Sequence, residues 1–78
     1  MEKAQLYTML EELGVDLDEI DDSTPLISSG IIDSLALVDL LVRLEAEVGL
    51  RLEPGEISAD NLDSVDRMLA FIRKALNR

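Results

Sequence analysis

The chain contains no cysteine, no histidine and no tryptophan. The first absence removes disulfide frameworks, zinc knuckles and thiol catalysis together. The second removes the commonest general base and the commonest transition-metal ligand. Covalent catalysis would then need a serine, threonine or lysine with an activating neighbour. The lysines, Lys3 and Lys74, both lie near the ends of the chain, where positioning is poor. An autonomous enzyme is therefore not expected. Aromatic residues are scarce as well, Tyr7 and Phe71 being the only two. The core must be aliphatic, and leucine, a strong helix former, dominates it.

Long apolar runs are also missing. Leu35 to Leu44 is interrupted by Asp39 and Arg43 and falls far short of a membrane span. The first ten residues carry Glu2 and Lys3 and show no secretory signal. A soluble, cytoplasmic protein without membrane insertion is expected. What remains is a short, acidic chain. Its 78 residues fit one domain, 1–78, in which folding hides only about 60% of the unfolded surface. Apolar residues make up 47%, a globular rather than a disordered composition.

The charge is unevenly placed. Residues 1–66 hold all 17 acids against three bases (Lys3, Arg43, Arg51), a net of −14. Residues 67–78 hold Arg67, Arg73, Lys74 and Arg78 and no acid, which brings the whole to −10. Most of this surface would repel nucleic acid and anionic lipid and attract partners with basic patches. The same acidity serves solubility, and charge alone does not separate the two roles. A net charge of −10 also opposes self-association, so a monomer is expected.

Periodicity predicts helices. Residues 3–13 read as a first helix: Leu6, Leu10 and Leu13, continued by Leu17, recur at helical spacing with Met9 beside them, and Gly14 is the stop. Residues 11–22 contain seven acids and no base. An EF-hand starting at Asp16 would need glycine and glutamate at its sixth and twelfth positions; Asp21 and Ile27 stand there instead, so no calcium site is expected. Residues 14–33 form a long connection with a turn at Ser23-Thr24-Pro25, core anchors at Leu26 and Ile27, and a flexible, polar Ser28-Ser29-Gly30. A loop this long in so small a domain is often functional.

Residues 34–48 read as a second helix. Leu37, Leu40, Leu41, Leu44 and Val48 form its buried stripe, Ala36, Asp39, Arg43 and Glu47 lie opposite, and Gly49 ends it. A short turn is expected at Glu56–Asp60. A last helix follows, capped by Asp63 or Ser64, with Val65, Met68, Leu69, Ile72 and Leu76 buried. Its last turn carries Arg73, Lys74 and Arg78, which suits the helix dipole. The fold class is all-α: a small bundle of three main helices plus one short helix, with a long loop between the first two.

The stretch Gly30-Ile31-Ile32-Asp33-Ser34-Leu35 stands out. Asp33 is the natural N-cap of the second helix, which puts Ser34 first in it with its hydroxyl at the surface. That end of a helix favours phosphate, because its backbone N–H groups lack partners. An Asp-Ser pair before a leucine-rich helix is by itself no more than a cap. Its surroundings say more. Residues 30–52 pair this Asp33-Ser34-Leu35 with Val38-Asp39-Leu40, Leu44-Glu45, Val48 and Gly49-Leu50. Thr24-Pro25-Leu26 and Ser29-Gly30 stand upstream, and Asn61-Leu62-Asp63-Ser64-Val65 downstream. Over nearly its whole length the chain resembles the acyl carrier protein family, which includes peptidyl and aminoacyl carriers.

The resemblance implies that Ser34 carries 4′-phosphopantetheine, transferred from coenzyme A by a phosphopantetheinyl transferase, with Asp33 and Leu35 as motif neighbours. The thiol missing from the sequence would then come from the prosthetic group. It further implies that Leu35, Ala36, Asp39, Val42, Arg43 and Glu45 on the second helix face partner enzymes, the acyl transferases and synthases downstream. Ala36 stands where fatty-acid-synthase carriers usually have an acid, and Arg43 adds a cation, so this face is less acidic than usual. Residues 56–65 look more like free-standing D-alanyl, aminoacyl or peptidyl carriers loaded by an adenylating ligase. Two alternatives stand beside that reading. One is a fatty acyl carrier of fatty-acid or polyketide synthesis, with Leu40, Leu44, Val48 and Leu62 lining an acyl pocket or simply packing as core. The other is a helical interaction module with no prosthetic group.

Overall fold

The computed structural model describes residues 1–77, and among these it has four α-helices and no strand. Arg78, expected in the last basic turn, lies outside the described residues. The all-α expectation holds, with three long helices, one short one and the long loop after the first. Helix α1 spans Lys3–Glu12 and buries Leu6, Met9 and Leu10. It stops where Gly14 turns to a φ of 99°, a conformation open to glycine at little cost.

Helix α2 spans Ser34–Val48, the predicted limits. The Asp33 carboxylate accepts the Ala36 N–H at 2.8 Å, satisfying one of the orphan donors of the first turn. At the other end Gly49 is left-handed, and its N–H donates to the Glu45 carbonyl. Leu40 and Leu44 are fully buried, whereas Leu37, Leu41 and Val48 are half-buried flanks of the stripe.

The second half departs from expectation in detail. The turn predicted at Glu56–Asp60 is split into a 3-10 turn at Pro54–Glu56 and helix α3 at Ala59–Leu62. Pro54 presets the backbone for a helical start. Glu56 reaches back to the Glu53 N–H at 2.9 Å, part of a reciprocal cap that opens the turn. Leu62, fully buried, anchors α3. Helix α4 spans Val65–Leu76, and Ser64 rather than Asp63 caps it, accepting the Arg67 N–H at 3.1 Å. Val65, Met68, Leu69 and Ile72 are buried as expected, but Leu76 is 41% exposed, and Phe71 and Ala75 are buried in its place. Helix α4 packs against both α3 and α1.

The connection between α1 and α2 is fastened at several points. Leu26 and Ile32 sit in the core with Leu6 and Leu44, while Ile27 is only half-buried. Each such aliphatic side chain contributes roughly 1.5–3 kcal/mol when fully buried. The Leu26 N–H donates to the Asp63 carbonyl and the Asp66 N–H to the Asp22 carbonyl, at 2.8 and 2.9 Å. Ser28 is not loose: its N–H and hydroxyl both donate to the Asp63 carboxylate. The Asp22 carboxylate takes the Tyr7 hydroxyl and, at 2.7 Å, the Lys3 ammonium, tying the loop to α1.

Candidate functional site

Ser34 is the first residue of α2 and is exposed. Its hydroxyl makes no hydrogen bond among the described residues, and neither do the N–H groups of Ser34 and Leu35. The Ala36 N–H belongs to Asp33, and the Leu37 N–H donates to the Asp33 carbonyl at 2.9 Å. The site therefore offers a free hydroxyl beside two unpaired donors, at the positive end of a helix of 15 residues. A phosphodiester fits there. Its oxygens would find N–H partners, and the arm beyond would extend into solvent.

The approach to Ser34 is set by the loop. Ile32 is buried, and its N–H donates to the Leu26 carbonyl at 2.8 Å. Gly30, at a φ of 84°, makes the turn between them, and its N–H donates to the Ile27 carbonyl. Asp33 follows at once and opens the helix. The position of Ser34 is thus fixed from both sides, by the core anchor at Ile32 and by its own helix.

The six residues assigned to a partner face do not form one uniform surface. Leu35 is 82% exposed and Val42 58%, and Asp39 and Glu45 are exposed with them. Ala36 is half-buried against the core. Arg43 is half-buried too, and it is engaged, with nitrogens 3.4 Å from Asp39 and 3.5 Å from Glu12 of α1. Its charge is largely answered locally. Val38, missed in the sequence reading, is 58% exposed between Leu35 and Val42. The i, i+3, i+7 spacing of these three residues was the signal for it. Together they make an apolar ridge running away from Ser34.

Two other regions differ from their sequence reading. The acidic run 11–22 is mostly employed in structure. Besides Glu12 and Asp22, Asp16 accepts the Asp18 N–H, and Asp21 accepts the Ser23 N–H and the hydroxyls of Ser23 and Thr24. The Ser23 N–H, chief among these donors, holds the Asp21 carboxyl below its ordinary range. No cluster suited to a metal ion occurs among the described residues. Leu40, Leu44 and Leu62 are completely buried in the continuous core, and Val48 is half-buried beside them. A cleft of about 400 Å³ opens elsewhere, against α3 and α4, with Asn61, Arg67, Phe71 and Lys74 in its lining.

Comparison with known proteins agrees with this geometry. The sequence family described as "Phosphopantetheine attachment site" matches residues 7–72. A D-alanyl carrier protein of Abiotrophia defectiva is 34% identical over 71 residues, covering 90% of each chain. An acyl carrier protein of Thermotoga maritima is 32% identical over 66 residues, covering 85% of this chain and 79% of its own. A helical interaction module without a prosthetic group is set aside by that match. No helix among the described residues is long and apolar enough to cross a membrane. The chain belongs to the phosphopantetheine-attachment family: it is a carrier protein rather than an enzyme, and its group is a covalently attached 4′-phosphopantetheine.

Proposed function

We propose that Ser34 is the attachment residue and that the chain carries a short acyl or aminoacyl group, loaded by an adenylating ligase. The free, exposed Ser34 hydroxyl at the start of α2 carries the first half of this reading. In the attachment step Ser34 Oγ forms a bond to the phosphorus of coenzyme A that bears pantetheine. The bond from that phosphorus to the bridging oxygen breaks, and adenosine 3′,5′-bisphosphate leaves. The hydroxyl proton goes to a base of the phosphopantetheinyl transferase. Once attached, the group supplies a thiol that holds cargo as a thioester.

The chain's own residues have three tasks. Asp33 and the N–H groups of Ser34 and Leu35 define the phosphate end. Leu35, Val38 and Val42 offer partner enzymes an apolar contact, with Asp39 and Glu45 beside it. The core stays closed. Full burial of Leu40, Leu44 and Leu62 supports a short cargo over a long chain held inside the bundle. The likeness to a D-alanyl carrier leans the same way, toward an aminoacyl group. The fatty acyl or polyketide alternative is supported by the acyl carrier relative. Action as a cytoplasmic monomer belongs to the same reading.

Intact mass after incubation with coenzyme A, magnesium and a broad-specificity phosphopantetheinyl transferase tests the attachment. The expected result is one phosphopantetheine on the parent and none on Ser34→Ala. The variant should stay folded with a stability within about 0.5 kcal/mol of the parent, because Asp33 and not Ser34 caps the helix. A gain on both proteins would mean that another residue is modified.

A further inference from the structure

The Asp63 carboxylate lies 35 positions along the chain from Ser28, the nearest residue that it holds, yet it closes on the loop that leads to Ser34. Its Oδ1 accepts the Ile27 N–H at 2.7 Å and the Ser28 N–H at 2.9 Å, and its Oδ2 accepts the Ser28 hydroxyl at 2.7 Å. Its backbone carbonyl takes the Leu26 N–H at 2.8 Å. Three consecutive loop N–H groups and one hydroxyl thus end on one residue. That residue is not free to drift, because Leu62 before it and Val65 soon after are fully buried and Ser64 caps α4. The bonds run on toward the site through the Leu26 carbonyl, which receives the buried Ile32 N–H, two residues before Ser34.

From this arrangement we infer that Asp63 is a positioning residue for the modification of Ser34: its carboxylate fixes the loop at Ile27 and Ser28, and through Leu26 and Ile32 it sets where the Ser34 hydroxyl stands against an incoming transferase. The inference rests on the assignment of Ser34 above. Asp63 touches neither Ser34 nor its substrate; it acts through the loop. Charge strengthens the hold, because hydrogen bonds to an ionised acceptor are roughly twice as strong as neutral ones. The Ser28 N–H and hydroxyl keep that carboxyl below its ordinary range, hence ionised at neutral pH. Asparagine at this position would keep the shape and one acceptor oxygen but lose the charge. Alanine would leave only the backbone carbonyl bond to Leu26.

The test compares the parent with Asp63→Asn and Asp63→Ala in two measurements. The first is the rate of phosphopantetheine addition by intact mass, resolved into kcat and KM. The second is amide hydrogen exchange on the unmodified proteins. Misplacing a reacting group by about an ångström can cost up to about 100-fold in rate. Asp63→Ala is therefore expected to lose roughly tenfold in kcat/KM, with part of the loss in kcat, and Asp63→Asn is expected to recover much of it. Exchange should quicken at Ile27, Ser28 and Ile32 in Asp63→Ala and stay unchanged at Leu10, Leu44 and Leu69. Unaltered kinetics on a loosened loop would overturn the inference while leaving Ser34 as the attachment residue. Uniformly faster exchange, with kcat/KM falling only in step with stability, would overturn it in favour of a purely structural role. A parent that gains no phosphopantetheine would overturn the assignment of Ser34 and this inference with it.

Discussion

Asp22 shows how much one side chain does in a chain this small. Its carboxylate receives the Lys3 ammonium and the Tyr7 hydroxyl, and with Lys3 the larger cause, these hold it below the ordinary aspartate range. The reciprocal effect raises Tyr7 to about 12, chiefly through its hydrogen bond to Asp22. A phenol with a raised folded-state value stabilises the fold below its unfolded value, ~10, and that contribution is lost as pH rises toward the folded value. Tyr7 is the only tyrosine, so its phenolate absorbance reports on one group. The expected titration midpoint is about 12 in the folded protein and ~10 in denaturant. A folded midpoint at the denatured value would mean that the Tyr7–Asp22 bond is absent in solution. Asp63 teaches a different lesson. In the sequence it is a candidate cap with Ser64 beside it, and nothing local separates the two. Its real partners are Ile27 and Ser28, far back in the chain, and a pairing of that range leaves no trace in spacing or periodicity.

The legibility of each helix follows its length. Helix α2 runs for 15 residues, enough turns for the 3.6-residue period to declare itself, and Asp33 and Gly49 bracket it with chemistry that has few other uses. Its limits and the exposed Ser34 were therefore readable. Helix α3 has four residues, about one turn, too short to show a period, so its place depends on Pro54, Glu56 and the burial of Leu62. The last helix was placed correctly, and so were Val65, Met68, Leu69 and Ile72 on its buried face; only Leu76 is exposed, with Phe71 and Ala75 buried in addition. The stop at Gly49 offers a direct check. A Cβ there would meet nothing within 4 Å, but φ is 73°, so Gly49→Ala costs conformation rather than space. An expected loss of about 1 kcal/mol should appear in urea unfolding as a lower midpoint with an unchanged slope. No loss would mean that the helix ends elsewhere.

Across the whole molecule the negative charge has two opposing effects. At −10 the acids repel one another, and mild acidification relieves that. Asp21, Asp22 and Asp63, however, are all held below the ordinary range by hydrogen bonds. Depressed folded-state values mean that their stabilisation is full above the unfolded value, ~3.9, and is lost as pH falls through the folded values. Comparison with a variant separates the two effects. The thermal midpoint of the parent should exceed that of Asp22→Asn at neutral pH, and the gap should close as pH drops below ~4. A constant gap would show that the carboxylate charge is not what holds the loop to α1.

Apart from the carboxylates of Asp22 and Asp63, the loop before Ser34 is fastened through its own backbone. The N–H groups of Leu26, Gly30 and Ile32, the Asp66 N–H and the carbonyl of Asp22 all take part, and such groups are present whatever side chain follows, proline apart at the donors. Substitution at Ser29 or Ile31 would leave those bonds standing. A site held in this way tolerates change at most loop positions so long as Asp63 keeps its carboxylate. Such a loop constrains few of its own side chains, so Ser29 and Ile31 can vary while the path from Leu26 to Ile32 keeps its course.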